Sequence, residues 1–299
     1  MQVPLTANFV SISRVFAVFF LTSVMWADSP HVDTHLALGD SITFGLDPLL
    51  LITPGPLPSP DAFTGYPEII ARQLRLNRHK SLNAGCPGET SGSFLNVAAP
   101  DNGCNSPHVE PGFTFPPFKP TVGLHVAYTG SQIAYALETL KTNKKVDLIT
   151  LSIGANDLLL VAQTCATAPD FALCAQQQLA AVVLPNYAQN LAHILTALRV
   201  QGKYKGKLVL LTLFAPDNQP VTQQAVQALN MVMRVVATPF GATFADGYGA
   251  FQQAAAPFNG DPCAAGLLGR NPDNTCGQHP SLRGQQVLAN AILSDPTIN

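Results

Sequence analysis

Four short segments gather the residues of this 299-residue chain whose types are suited to chemistry. Gly39-Asp40-Ser41 runs into Ile42, Thr43, Phe44 and Gly45. Next comes Asn83-Ala84-Gly85-Cys86-Pro87-Gly88-Glu89-Thr90, then Gly154-Ala155-Asn156-Asp157, and finally His279-Pro280. A serine hydroxyl is a poor nucleophile until a base removes its proton, and a neutral imidazole titrating near pH 6.5 suits that task around neutrality. Ser41 is therefore the candidate nucleophile and His279 the candidate base. His279 is the one histidine placed near a helix start behind a disulfide-rich loop; His31, His35, His79, His108, His125 and His193 read as surface or helix residues. Asp40 and Asp157, or the His31-Val32-Asp33-Thr34-His35 segment, invite a metal reading, but no HExxH or comparable ligand spacing occurs. Asp40 is expected to brace the nucleophile loop, and the 31–35 segment to lead into the first strand.

These segments must be held together by regular elements. Short apolar, β-rich runs at 35–40, 81–85, 148–154, 207–214 and 242–246 read as strands. Three- and four-residue apolar spacing at 67–77, 131–143, 176–200, 222–237 and 281–293 reads as helices. Near-continuous apolar strands such as LITLSIG and KLVLLTLF require a sheet covered on both faces. The expected class is α/β, a three-layer doubly wound sandwich with a five-stranded parallel sheet. The first three chemical segments then end strands one, two and three, at the carboxyl edge where such sheets keep their sites. Two interruptions, 46–65 and 92–130, read as loops. The second carries Phe94, Phe113, Phe115 and Phe118 and could line an acyl groove or pack on itself.

The apolar run at 15–26, preceded by Arg14 and followed by Ala27, has signal-peptide length. It predicts a leader over 1–27 and one domain over 28–299, exported, with no later stretch able to span a bilayer. A charged fraction of 11% and a net charge of −2 exclude the basic stripe that a nucleic-acid partner requires. The even count of six cysteines behind a leader implies three disulfides. Fifteen pairings exist in principle. Neighbours in sequence suggest Cys86 with Cys104, Cys165 with Cys174, and Cys263 with Cys276.

GDSITFG, NAGCPGET, IGAND and QHPSLRG, in that order, resemble the four sequence blocks of the GDSL/SGNH hydrolases. The cysteine pattern and the YTGSQ segment are most similar to secreted bacterial esterases and lipases. The resemblance implies a flavodoxin-like fold and hydrolysis of carboxylic esters through an acyl-enzyme on Ser41. It implies that His279 takes the Ser41 proton and returns it to the leaving alcohol. It assigns the oxyanion donors to the backbone N–H of Ser41, the backbone N–H of Gly88 and the side-chain amide of Asn156. Both choices make physical sense: glycine admits a close backbone approach, and an amide donates without carrying charge. Small-molecule or lipid esters are the expected partners, with no organic cofactor and no metal; oligomeric state is not legible.

The family usually has Asp three residues before its histidine, where this chain has Cys276. The imidazole then needs another orienting group. A backbone carbonyl ahead of His279, fixed by the Cys263–Cys276 bridge, is the preferred substitute, and Asp273 is the alternative third triad member. Loss of the acid also leaves open a non-catalytic lipid- or carbohydrate-binding protein on the same fold, and acyl transfer uses the same residues as hydrolysis.

Overall fold

The computed structural model describes residues 32–110, 113–271, 273–296 and 298. The expected leader over 1–27 lies outside them, as does His31. Five strands form the central sheet: β1 (Thr34–Gly39), β2 (Ser81–Asn83), β3 (Val146–Ser152), β4 (Lys207–Leu211) and β5 (Thr243–Ala245). Their order is β2-β1-β3-β4-β5 and every pairing is parallel. The principal flanking helices are α1 (Tyr66–Gln73), α2 (Gln132–Thr142), α3 (Ala155–Cys165), α4 (Leu184–Thr196), α5 (Pro220–Ala237), α6 (Gly247–Ala255) and α7 (Leu282–Leu293).

Period-two alternation along the strands divides the core into two layers. Ile149, Leu151, Leu208 and Leu210 pack with α2, α4 and α5 through Ile133, Leu191, Ile194 and Leu229. Their strand neighbours Leu148, Val209 and Leu211 point the other way, into Ile70 of α1, Phe251 of α6 and Leu288 and Ile292 of α7. Each fully buried side chain of this kind contributes about 1.5–3 kcal/mol, so both layers depend on the strand register. The strands are apolar on both faces because both faces are covered.

A third, smaller core closes the carboxyl edge. Phe44, just after the first strand, packs 5.0 Å from the rings of both Phe63 and Phe118, with the disulfide-bonded pair Cys86 and Cys104 in the same cluster. The two long loops therefore pack on each other. The remaining cysteines pair as Cys165–Cys174 and Cys263–Cys276.

The structure adds helices where periodicity was weak. α3 follows β3 directly, and α6 follows β5. The helix expected at 176–200 is part of a continuous run of helical segments from Phe171 to Gln201, two of them π turns. Within the second loop lie the antiparallel ribbon His108–Glu110/Phe113–Phe115 and short helices at Ser91–Leu95 and Phe118–Thr121. A second ribbon pairs Leu268–Arg270 with Cys276–Pro280.

Candidate active site

The chain leaves β1 through Gly39, whose φ is +145°. A Cβ there would meet the Ser152 carbonyl oxygen at 2.0 Å, so glycine is required where β1 and β3 run side by side. Asp40 then caps a four-residue helix, Ser41–Phe44, its Oδ1 accepting from the Ile42 N–H at 2.9 Å. So short a helix leaves its last three carbonyls without backbone partners, and side chains from three elsewhere-rooted segments supply them. Gln285 Nε2 of α7 donates to Ile42 O, Asn83 Nδ2 of β2 to Thr43 O, and His125 Nε2 to Phe44 O. Gln132, the first residue of α2, clamps Gly39 on both sides: its Oε1 accepts from the Gly39 N–H at 2.6 Å and its Nε2 donates to the Gly39 carbonyl at 2.9 Å. Ser41 is held rigidly by this frame.

His279 reaches Ser41 from the ribbon strand Cys276–Pro280, just ahead of α7. Its Nε2 lies 3.0 Å from Ser41 Oγ. The ribbon is tied by the Cys263–Cys276 bridge, and the Ser281 N–H donates to Leu267 O. The residue is half-buried. Withdrawal of its ring from solvent, with a smaller contribution from His108, pulls its pKa down to about 4. No carboxylate among the described residues hydrogen-bonds or pairs with that ring, and neither does a backbone carbonyl. Asp273 is not brought to it: its carboxylate accepts from the Thr275 N–H and hydroxyl within an exposed turn. The preferred carbonyl partner is likewise not seen. What fixes the imidazole is the bridged ribbon and its contact with Ser41.

Asn156, the second residue of α3, is buried beside Ser41 and His279. Its Nδ2 donates to Glu89 O at 3.0 Å, and its Oδ1 accepts from Asn102 Nδ2 at 3.1 Å. One amide hydrogen is left over. Gly88 has φ +86°, and a Cβ on it would stand 2.4 Å from the Asn102 carbonyl oxygen. Gly88 does not itself line the cavity described next.

Two buried carboxyls, Asp40 and Glu89, and the half-buried Asp157 lie close to the site. Asp40 rises to about 7, Glu89 to about 7 and Asp157 to about 6, in each case first because burial disfavours the charged form. Asp157 accepts from the Ser91 N–H and hydroxyl.

Beside Ser41, Asn156 and His279 opens an apolar cavity that extends to solvent. Leu158 and Leu159 of α3, Leu213 and Phe214 after β4, and Val226 of α5 line it. The loop phenylalanines do not. Phe94 is fully buried in the α2/α4 layer, Phe118 packs on Phe44 and Phe63, and Phe115 packs on Phe118. That loop is largely self-packed, because Cys86–Cys104 and Phe44 draw three of its rings inward, while Phe113 stays exposed, edge-on to His108.

Residues 37–287 match the model of the GDSL-like lipase/acylhydrolase family. The chain belongs to that family. As such it is a carboxylic ester hydrolase. Comparison with curated proteins finds no match. Among solved structures it resembles a lipase from a goat rumen metagenome, at 16% identity and TM-score 0.52, covering 87% of this chain and 96% of that one. It also resembles an acetylxylan esterase from Geobacillus stearothermophilus, at 19% identity and TM-score 0.51, covering 91% and 98% respectively. An alpha/beta hydrolase from the metagenome of Lake Arreo, Spain, has 19% identity, TM-score 0.51 and coverage of 89% and 94%. At these identities the likeness is one of fold. The three disulfides fit an extracellular family member, and among the described residues no helix is long and apolar enough to cross a membrane.

Around this candidate site the structure places several residues that carried no sequence signal of their own. Gln132 and Gln285 brace the Ser41 turn; Gln132 ends the YTGSQ segment, and Gln285 directly follows QHPSLRG. His35 corrects its surface reading: it is fully buried in β1, its Nε2 2.8 Å from Thr150 Oγ1, and burial pulls it down to about 3. His108 also belongs near the site, bonded through Nδ1 to Asn102.

Proposed function

We propose that this hydrolase is a secreted serine esterase or lipase acting on esters with an apolar acyl chain. The carrying observation is the 3.0 Å contact of Ser41 Oγ with His279 Nε2 at the mouth of an apolar cavity. Ser41 Oγ attacks the ester carbonyl carbon while His279 Nε2 takes its proton. The carbonyl oxygen becomes an oxyanion, which accepts from the backbone N–H groups of Ser41 and Gly88 and from the free amide hydrogen of Asn156. Collapse expels the alcohol, which leaves with the proton from His279. Water then attacks the acyl-enzyme by the same relay, releasing the acid and restoring Ser41.

Depression of His279 favours the base form that the first step needs. A neutral imidazole without a carboxylate partner is a weaker base, and the fixed 3.0 Å geometry offsets part of that loss. The leader expected over 1–27 and the three bridges support export. Burial of each methylene is worth about 0.8 kcal/mol, close to fourfold in kcat/KM. The test is a series of p-nitrophenyl esters from acetate to palmitate. A rise of about threefold to fourfold per methylene up to medium chains is expected; a flat or acetate-peaked profile contradicts the acyl-cavity assignment.

A further inference from the structure

The segment between Gly88 and the His108 ribbon is built around one side chain that ester hydrolysis as described does not use. Asp101, itself buried, gathers the N–H groups of Gly103, Asn105 and Ser106 on its carboxylate. The Cys86–Cys104 bridge closes the segment on one side, and the Phe118 and Lys119 N–H groups donate to the carbonyls of Gly103 and Cys104 on the other. Residue 102 stands fixed between them.

Asn102 touches both non-nucleophile oxyanion positions. Its backbone N–H donates to Gly88 O at 2.8 Å, and its Nδ2 donates to Asn156 Oδ1 at 3.1 Å. Its own amide cannot turn over, because its Oδ1 accepts from Gln163 Nε2 at 2.9 Å and from His108 Nδ1 at 3.1 Å. The amide accounting then closes. With Asn156 Oδ1 held by Asn102 and one Nδ2 hydrogen spent on Glu89 O, a single hydrogen remains. Without Asn102, one bond alone would hold the Asn156 amide, leaving it free to swing about that bond.

We propose that Asn102 is a positioning residue for the oxyanion site, acting through its side chain on Asn156 and through its backbone on Gly88. The proposal rests on the reading that Gly88 and Asn156 are oxyanion donors. It assigns a role in turnover to a loop, and to the ring of His108 behind it, that otherwise reads as covering structure.

Asn102→Asp is the sharpest perturbation. It keeps the acceptor that Gln163 and His108 use, turns the donor facing Asn156 Oδ1 into an oxygen and adds a negative charge, an effect that the uncharged Asn102→Ala separates out. Asn102→Ala removes all three bonds. Both variants are expected to lose about tenfold or more in kcat, part of the roughly 10²–10³-fold that deleting an oxyanion donor costs, with KM within about twofold. Affinity for a trifluoromethyl ketone, whose adduct with Ser41 carries the oxyanion, should fall in parallel. In an Asn156→Ala background the further loss from Asn102→Ala should vanish, since its side chain then has no donor to orient.

Unchanged kcat and ketone affinity in both Asn102 variants, beside a large loss in Asn156→Ala, would overturn the proposal and leave the oxyanion reading standing. Full multiplication of the two losses in the double variant would also overturn it, as would failure of both Asn102 variants to fold. Full activity of Asn156→Ala would remove the underlying reading, and this one with it.

Discussion

Replacing Asp273 by Asn tests how the base is oriented. A carboxylate that orients a catalytic histidine is worth about 10⁴-fold in turnover. Here the Asp273 side chain serves Thr275 at both the N–H and the hydroxyl, and makes no contact with His279. The amide oxygen of Asn can accept both of those bonds, so the turn persists and nothing passes to the ring. The expected result is kcat/KM within about threefold of the parent on p-nitrophenyl butyrate. The same assay read against pH gives a second number. A base depressed to about 4 is roughly 90% neutral at pH 5, whereas one at its ordinary 6.5 is roughly 3% neutral. The parent should therefore retain nearly its full kcat/KM at pH 5. A fall of more than about 10²-fold in Asp273→Asn with melting temperature intact, or an acid limb at pH 6.5 or above, would refute the reasoning.

Leu158→Trp should obstruct the cavity, lowering kcat/KM at least tenfold for an octanoate ester and less than threefold for acetate; equal losses on both would place the acyl chain elsewhere. Removing the Cys263–Cys276 bridge, as the double serine variant, should cost about 3 kcal/mol in denaturant unfolding by loop entropy. It should also lower kcat under conditions where the protein stays folded, because the ribbon that carries His279 loosens. Asp40→Asn addresses a carboxyl held near 7, well above its unfolded value. The stability such a group contributes is complete below about pH 4 and is lost as pH rises through 7. The melting temperature of the parent relative to Asp40→Asn should accordingly fall between pH 4 and pH 8, and a constant difference would contradict the shift.

The five strands were legible because each is a short apolar run that ends in polar or glycine punctuation, and this placed Ser41 and Asn156 at one sheet edge. The 3.0 Å approach of His279 to Ser41 could be expected from the same pattern, one residue lying at a strand end and the other before a helix start. α3 was not, since Leu158 is shared between cavity and core and Leu159 lines the cavity, which blurs the helical period. α6 opens on Gly247 and Gly249, poor helix formers that its Asp246 cap offsets through the Gly249 N–H. Asn102 and His108 were illegible in a stronger sense. Asn102 bonds Asn156, 54 residues away, and His108 bonds Asn102, and no local pattern encodes a pairing at the first of those distances. The spacing of Asp273 from His279 suggested a partner, but the hydroxyl two residues on captured its carboxylate first.

Covalent labelling with a p-nitrophenyl alkylphosphonate, followed by peptide mass analysis, addresses the Ser41–His279 pair without assuming any natural substrate. One adduct per chain on the peptide containing Ser41 is expected, with labelling slowed at least 10³-fold in His279→Ala and ester hydrolysis abolished in Ser41→Ala. An adduct on another residue, or ester hydrolysis surviving in Ser41→Ala, would contradict the account.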